Sequence, residues 1–197
     1  MIDIVFDMHF ISSIRINVVK LCHIQKDTSQ DLSQFMTGMG SMKATLYNDI
    51  REIHVQEVEY VPPGPGYLTL DTRCTGICGS DLHNYFGQWK PDLAVAQGHE
   101  VCGEVAEIGK GVTGFRVGDL VTLECFSHCG DCLYCRKGWY NHCLNRSWFA
   151  PGVHAGFAEY ATVHASSVYQ LEDMTFEEGA LVAPLAVSKW RNGSGRT

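Results

Sequence analysis

Four cysteines constrain this chain more than any other feature. Cys129, Cys132 and Cys135 form two overlapping C-x-x-C knuckles, and Cys143 follows after a loop that passes through Gly138. This spacing can turn three sulfurs inward and return a fourth. Four thiolates at tetrahedral distance close the shell of a zinc ion and leave no place for water, which makes a structural site. The bland alternative is four ordinary thiols. His128, His142 and Cys125 lie close enough in sequence to replace one of them. The chain holds nine cysteines, an odd number that a fully paired disulfide framework cannot use. The first residues are Met1-Ile2-Asp3-Ile4-Val5-Phe6-Asp7, with acids where a secretory signal needs positive charge. The expectation is a cytoplasmic, reducing setting in which clustered cysteines bind metal.

Charge narrows the partners. Lysine and arginine number 15 against 22 acids, a net charge of −7. Such a chain is a poor general binder of nucleic acid, because phosphate neutralisation needs clustered basic side chains. Around the cysteines only Arg136, Lys137 and Arg146 oppose Glu124 and Asp131, so a nucleic-acid zinc ribbon is disfavoured. No apolar stretch approaches the length of a membrane span. The expected partner is a small molecule, with neither nucleic acid nor membrane.

The chain divides into three stretches. Residues 1–41 alternate early, turn polar and end in Gly38-Met39-Gly40-Ser41, which reads as an N-terminal extension and linker. Between an ordered extension and a loosely attached, poorly ordered leader, the expectation is the leader, because nothing in it carries chemistry. From Met42 the texture is mainly β with short helices, an α+β pattern. The sequence predicts strands at Tyr67–Thr72, Val101–Ile108, Val117–Leu123 and Phe157–Val163. It predicts a short helix near Ser80–Phe86 and another from Thr175, where Thr175-Phe176-Glu177-Glu178 supplies a cap and acids. Gly109-Lys110-Gly111-Val112-Thr113-Gly114 matches G-x-G-x-x-G, yet a turn and a strand follow it instead of a helix. A dinucleotide fingerprint needs that helix N-terminus for its pyrophosphate. No cofactor-binding residue is therefore assigned to this segment.

A second constellation spans Gly76-Ile77-Cys78-Gly79-Ser80-Asp81-Leu82-His83 and Gly98-His99-Glu100. Thiol, imidazole and carboxylate lie about twenty residues apart. Three protein ligands would leave one zinc position open, the arrangement of a catalytic site. Cys74, Cys102 and Cys125 read as small core residues.

These segments, together with Gly103 to Val121 ending in Gly118-Asp119 and the four-cysteine lobe, resemble the zinc-dependent medium-chain alcohol and polyol dehydrogenases, over about Met42 to Val187. The polyol branch (sorbitol, xylitol, butanediol and threonine dehydrogenases) is the most similar in its use of Cys, His and Glu. The resemblance implies a GroES-like, partly open β-barrel at residues 42–187 with a zinc-binding lobe at about 125–146. It implies Cys78, His99 and Glu100 at a catalytic zinc and Cys129, Cys132, Cys135 and Cys143 at a structural zinc, so two zinc ions per chain. Ser80 falls on the hydroxyl that carries the substrate proton, His83 on the next relay position, and Asp81 on the acid that orients His99. The complete enzymes polarise an alcohol or polyol on zinc and transfer hydride to NAD or NADP, and homo-oligomers are possible for them. They also return C-terminal segments to this half.

Two departures stand out. Members of the family carry an acid before the Pro-Leu-Ala-Val segment, where this chain has Ala183. Residues 188–197 read as a truncated tail, and the Rossmann half is absent. A non-catalytic zinc-binding fragment, or pseudo-enzyme, is the alternative expectation.

Overall fold

The structure is a computed structural model that describes residues 19–22, 40–90, 96–148 and 154–193. Most of the 1–41 extension and the last four residues lie outside the described set. Val19–Cys22, expected in a loosely attached leader, instead form a strand of the main sheet, where they pair with an otherwise open strand edge. One sheet carries the architecture. It is built on β4 (Tyr67–Ile77), which pairs antiparallel with β5 (Glu100–Ile108) along one edge. The other edge of β4 is shared end to end. β7 (Tyr160–His164) pairs with Tyr67–Asp71, and β1 (Val19–Cys22) pairs with Cys74–Ile77. Beyond β5 come β6 (Leu120–Leu123) and β8 (Val168–Gln170). A separate hairpin of β2 (Ser41–Asp49) and β3 (Glu52–Glu59) touches this sheet through an Ala44–Ala158 bridge. Among the described residues the sheet does not close on itself, in keeping with a partly open barrel.

Alternation explains the core. On β4, β5, β6 and β7 the inward positions are Leu68, Leu70, Val101, Val105, Val121, Leu123, Ala161 and Val163, all buried in one cluster. Met42, Ala44 and Leu46 do the same for β2, packing with Tyr60 and Tyr160. Cys74 and Cys102 meet Ala180 in a third cluster, the core role expected of those two thiols. Burial pushes the Cys102 thiol up to about 12.

Several element boundaries differ from expectation. β4 continues past Thr72 to Ile77, carried by a register shift between Thr72 and Cys74. The strand predicted from Val117 begins at Leu120, because Gly118-Asp119 form a turn in which Asp119 Oδ2 accepts from the Arg116 amide at 2.8 Å. The segment after Gly114 therefore leads through that turn into β6, with no helix. α1 (Gly79–Tyr85) and α2 (Phe176–Ala180) lie where expected, α2 with reciprocal Thr175–Glu178 capping bonds. Ser188–Gly193, assigned above to a tail, instead prolong α3 (Val182–Gly193). Pro184 sits in its first turn, where amides lack intrahelical partners, so the helix tolerates it.

His154 and His164 are both held below the usual imidazole value, by burial and, at His164, also by the charge of His128. His154 Nδ1 accepts the Ala96 amide at 3.0 Å, so the neutral ring is the folded form. A depressed histidine pKa favours the fold above about pH 6.5 and loses that advantage as pH falls through this value. His154→Asn keeps an acceptor and removes the titration. Its melting temperature should fall less steeply than wild type between about pH 7 and 5.5. Parallel slopes in thermal melts would count against the assignment.

Candidate functional site

The catalytic-type residues arrive on three elements. β4 runs directly into Cys78, the N-cap of α1, and Ser80 and Asp81 follow in the first turn. The Gly76↔Glu100 register then sets the start of β5 beside the end of β4. As a result the Cys78 Sγ, one His99 ring nitrogen and a Glu100 carboxylate oxygen all lie within 4.8 Å of one another. Two glycines make room for this. A Cβ on Gly76 would lie 2.4 Å from Glu100 Oε2. Gly98 has φ +95°, and a Cβ there would meet Phe157 at 2.7 Å, so the residue before His99 must be glycine.

Asp81 anchors the arrangement. It is 4% exposed, and its Oδ2 accepts the Cys78 amide at 2.8 Å. Its Oδ1 lies 3.9 Å from His99 Nδ1, an ion-pair distance too long for a hydrogen bond. The Tyr47 hydroxyl donates to the Asp81 carbonyl oxygen at 3.1 Å. With Nδ1 directed at this carboxylate, His99 is left to present Nε2, which lies 3.4 Å from Ser80 Oγ. Ser80 is not the cap of α1, a position held by Cys78, so its hydroxyl is not used for capping.

Electrostatics agree with a cation site. Burial raises the Asp81 and Glu100 carboxyls above their usual values. Hydrogen bonding to His99 lowers the Cys78 thiol. Burial pushes His99 down, but its bond to Cys78 and the charges of Asp81, Cys78 and Glu100 outweigh that, and its pKa is raised. These groups compete for protons in the absence of a cation, and a borderline divalent ion suits a thiolate, imidazole and carboxylate set.

His83 lies elsewhere. It is exposed on α1, its Nδ1 is hydrogen-bonded to Gln88 Oε1, and its ring packs on Trp89 at 4.8 Å. Trp148 was not anticipated. Its ring meets His99 edge-on at 5.3 Å and Phe126 at 4.9 Å, forming an aromatic wall beside the cluster. No local motif marks it, since its partner is distant in sequence.

The four cysteines of the lobe also converge, with their sulfurs all within 4.8 Å. Cys143 Sγ lies 3.5 Å from Cys129 Sγ and accepts the Cys129 and Asn145 amides at 3.4 and 3.3 Å. The backbone amides of Cys135 and Leu144 pull the Cys132 thiol down to about 6, whereas burial pushes Cys135 up to about 12. Several thiols cannot all ionise together unaided, and a bound dication supplies the missing charge balance. Four soft donors fit zinc. His128 stacks on Tyr140 at 4.1 Å, His142 packs against Tyr134, and neither joins the cluster. Cys125 also stands outside it, its thiol pushed up to about 11 by burial.

The fold has counterparts among known proteins. Residues 64–173, more than half of the chain, match the family described as alcohol dehydrogenase GroES-like domain. The chain is 40% identical over 134 residues to a sorbitol dehydrogenase of Halalkalibacterium halodurans, an alignment covering 67% of this chain and 39% of that protein. It superposes on the crystal structure of a 2R,3R-butanediol dehydrogenase from Bacillus subtilis with TM-score 0.67 and 31% identity, covering 80% of this chain and 48% of that one. A short chain alcohol dehydrogenase of Escherichia coli in complex with NADH gives TM-score 0.69 at 30% identity, covering 79% and 46%. The chain thus spans less than half the length of these relatives. Matched by this family over residues 64–173, the chain belongs to the zinc-dependent medium-chain alcohol dehydrogenase family.

Proposed function

We propose that this chain is the catalytic, GroES-like half of a cytoplasmic zinc-dependent dehydrogenase that oxidises a small alcohol or polyol with NAD or NADP. The observation that carries the reading is the convergence of Cys78, His99 and Glu100 beside Ser80 and Asp81. Cys129, Cys132, Cys135 and Cys143 hold one zinc, in the lobe, and Cys78, His99 and Glu100 hold the second. When bound at Cys78, His99 and Glu100, zinc supplies Lewis-acid polarisation of the substrate oxygen. Asp81 fixes the Cys78 amide and faces His99 Nδ1, which orients the ring and raises its basicity as a ligand. Ser80 Oγ is the acceptor for the proton that the substrate hydroxyl loses. His83, three residues after Ser80 on α1 but with its ring on Trp89 and Gln88, would have to turn back towards Ser80 to pass that proton to solvent. Trp148 and Phe126 line one flank of the site. Hydride transfer also needs a nicotinamide held at contact distance. Gly109–Gly114 does not supply that binding site, since it runs into the turn before β6.

Ala183 supports the second reading, a zinc-binding unit without turnover, because it removes the carboxylate that family members carry at this position. Graded chelation followed by native mass spectrometry tests the main one. Wild type should hold two zinc ions, and Cys78→Ser should remove the more weakly held of them. A single zinc that is lost in Cys132→Ser and indifferent to Cys78→Ser would sink the two-site reading.

A further inference from the structure

The strand that delivers Cys78 has an unusual neighbour. β4 pairs with β5 from Leu68 to Gly76, but β7 covers only Tyr67–Asp71 of its opposite edge. The remaining stretch of that edge, Cys74–Ile77, is the part that leads into the candidate zinc ligand. It is covered by Val19–Cys22, with Val19 opposite Ile77, Lys20 opposite Gly76, Leu21 opposite Thr75 and Cys22 opposite Cys74. An uncovered strand edge leaves backbone N–H and C=O groups without ladder partners and free to fray. With β1 in place, Gly76 lies between Lys20 and Glu100, so one residue next to the site is tied from both sides.

We infer that Val19–Cys22 is a built-in positioning strand: by completing the ladder over Cys74–Ile77, the N-terminal extension holds the β4–α1 junction, and with it Cys78, in the geometry that binds the second metal. The site leaves little slack. A methyl group's volume at Gly76 already reaches the Glu100 carboxylate, so fraying of this junction moves Cys78 relative to Glu100 and breaks a donor set that must close within a few ångströms. The inference rests on Cys78, His99 and Glu100 forming a metal site, and it assigns to residues before Met42 a part in that site.

Proline scanning tests it. In an antiparallel ladder alternate residues point their N–H groups at the partner strand. Of Lys20 and Leu21, one therefore donates towards β4 and the other faces the outer edge, where proline is tolerated. Lys20→Pro and Leu21→Pro are compared with wild type by hydrogen exchange of the peptide spanning residues 74–78 and by zinc competition with a chromogenic chelator. One of the two variants should accelerate exchange in that peptide at least tenfold and weaken the second zinc at least tenfold. The other should stay near wild type, and both should keep the lobe zinc. Unchanged exchange in both variants, or faster exchange with unaltered affinity for the second zinc, overturns the inference. A wild-type chain that binds only one zinc fails earlier, at the metal reading itself.

Discussion

Cys132→Ser is expected to strip the lobe of its zinc and of its fold while the barrel stays assembled. The reason is how little else holds the lobe together. Between Cys125 and Ser147 the buried apolar residues are Cys135 and Cys143, both members of the cluster, whereas Leu133, Trp139, Tyr140 and Leu144 are between 46% and 70% exposed. The remaining contacts are short-range, such as the Lys137–Trp139 pair and the Arg146 guanidinium 4.0 Å above Phe126. Each of these contributes about 0.5–1 kcal/mol at an exposed site. A structural zinc in a small domain contributes on the order of 10–16 kcal/mol of apparent binding energy at neutral pH. Cys132 is the ligand most ready to ionise, and a serine hydroxyl in its place stays protonated. Zinc content should fall from two to one. Amides of residues 129–146 should lose exchange protection, while Leu68, Val101, Val121 and Ala161, fully buried in the core, should keep theirs. A variant that retains two zinc ions and a protected lobe would show that three thiols suffice.

How far the sequence reveals this molecule depends on how local each feature is. The lobe was legible because its ligands lie within one short segment, so C-x-x-C spacing alone brings the sulfurs together. Strand alternation accounts for two of the three core clusters. The Cys78–His99–Glu100 site was legible in composition only. Its geometry depends on the β4–β5 register, which two irregularities shift, between Thr69 and Leu70 and between Thr72 and Cys74. No pattern in the chain announces those. The β2–β3 hairpin escaped for a different reason. Its turn uses Arg51 with φ 63° and an Asp49 Oδ1 bond to the Ile50 amide, where a glycine would have signalled a tight turn. Trp148 and β1 act through partners far away in the sequence, and α3 was obscured because Pro184 and the residues around it look like an ending.

Asp81→Asn is the sharpest test of the open site, because it changes one buried charge and leaves every ligand in place. The native carboxylate accepts the Cys78 amide and faces the His99 ring, and the Tyr47 hydroxyl pins its backbone from the other side. Asparagine is similar in size but has one acceptor atom for these two duties. If that oxygen keeps the Cys78 amide, an NH₂ group faces His99 Nδ1 and favours the wrong tautomer, with the proton on Nε2, the atom the metal needs. If it turns to His99 instead, the half-buried Cys78 amide loses its partner, at a cost of about 1 kcal/mol. Either outcome disturbs a ligand. Loss of such an outer carboxylate typically weakens a metal site by about 10–100-fold, and zinc at Cys78, His99 and Glu100 should weaken by that amount. The lobe zinc should be unaffected, since none of its ligands touches Asp81. Chelator competition measures both affinities in one titration. Equal weakening of both zincs would mean that Asp81 acts through general stability. An unchanged open site would mean that the 3.9 Å approach to His99 carries no orienting force.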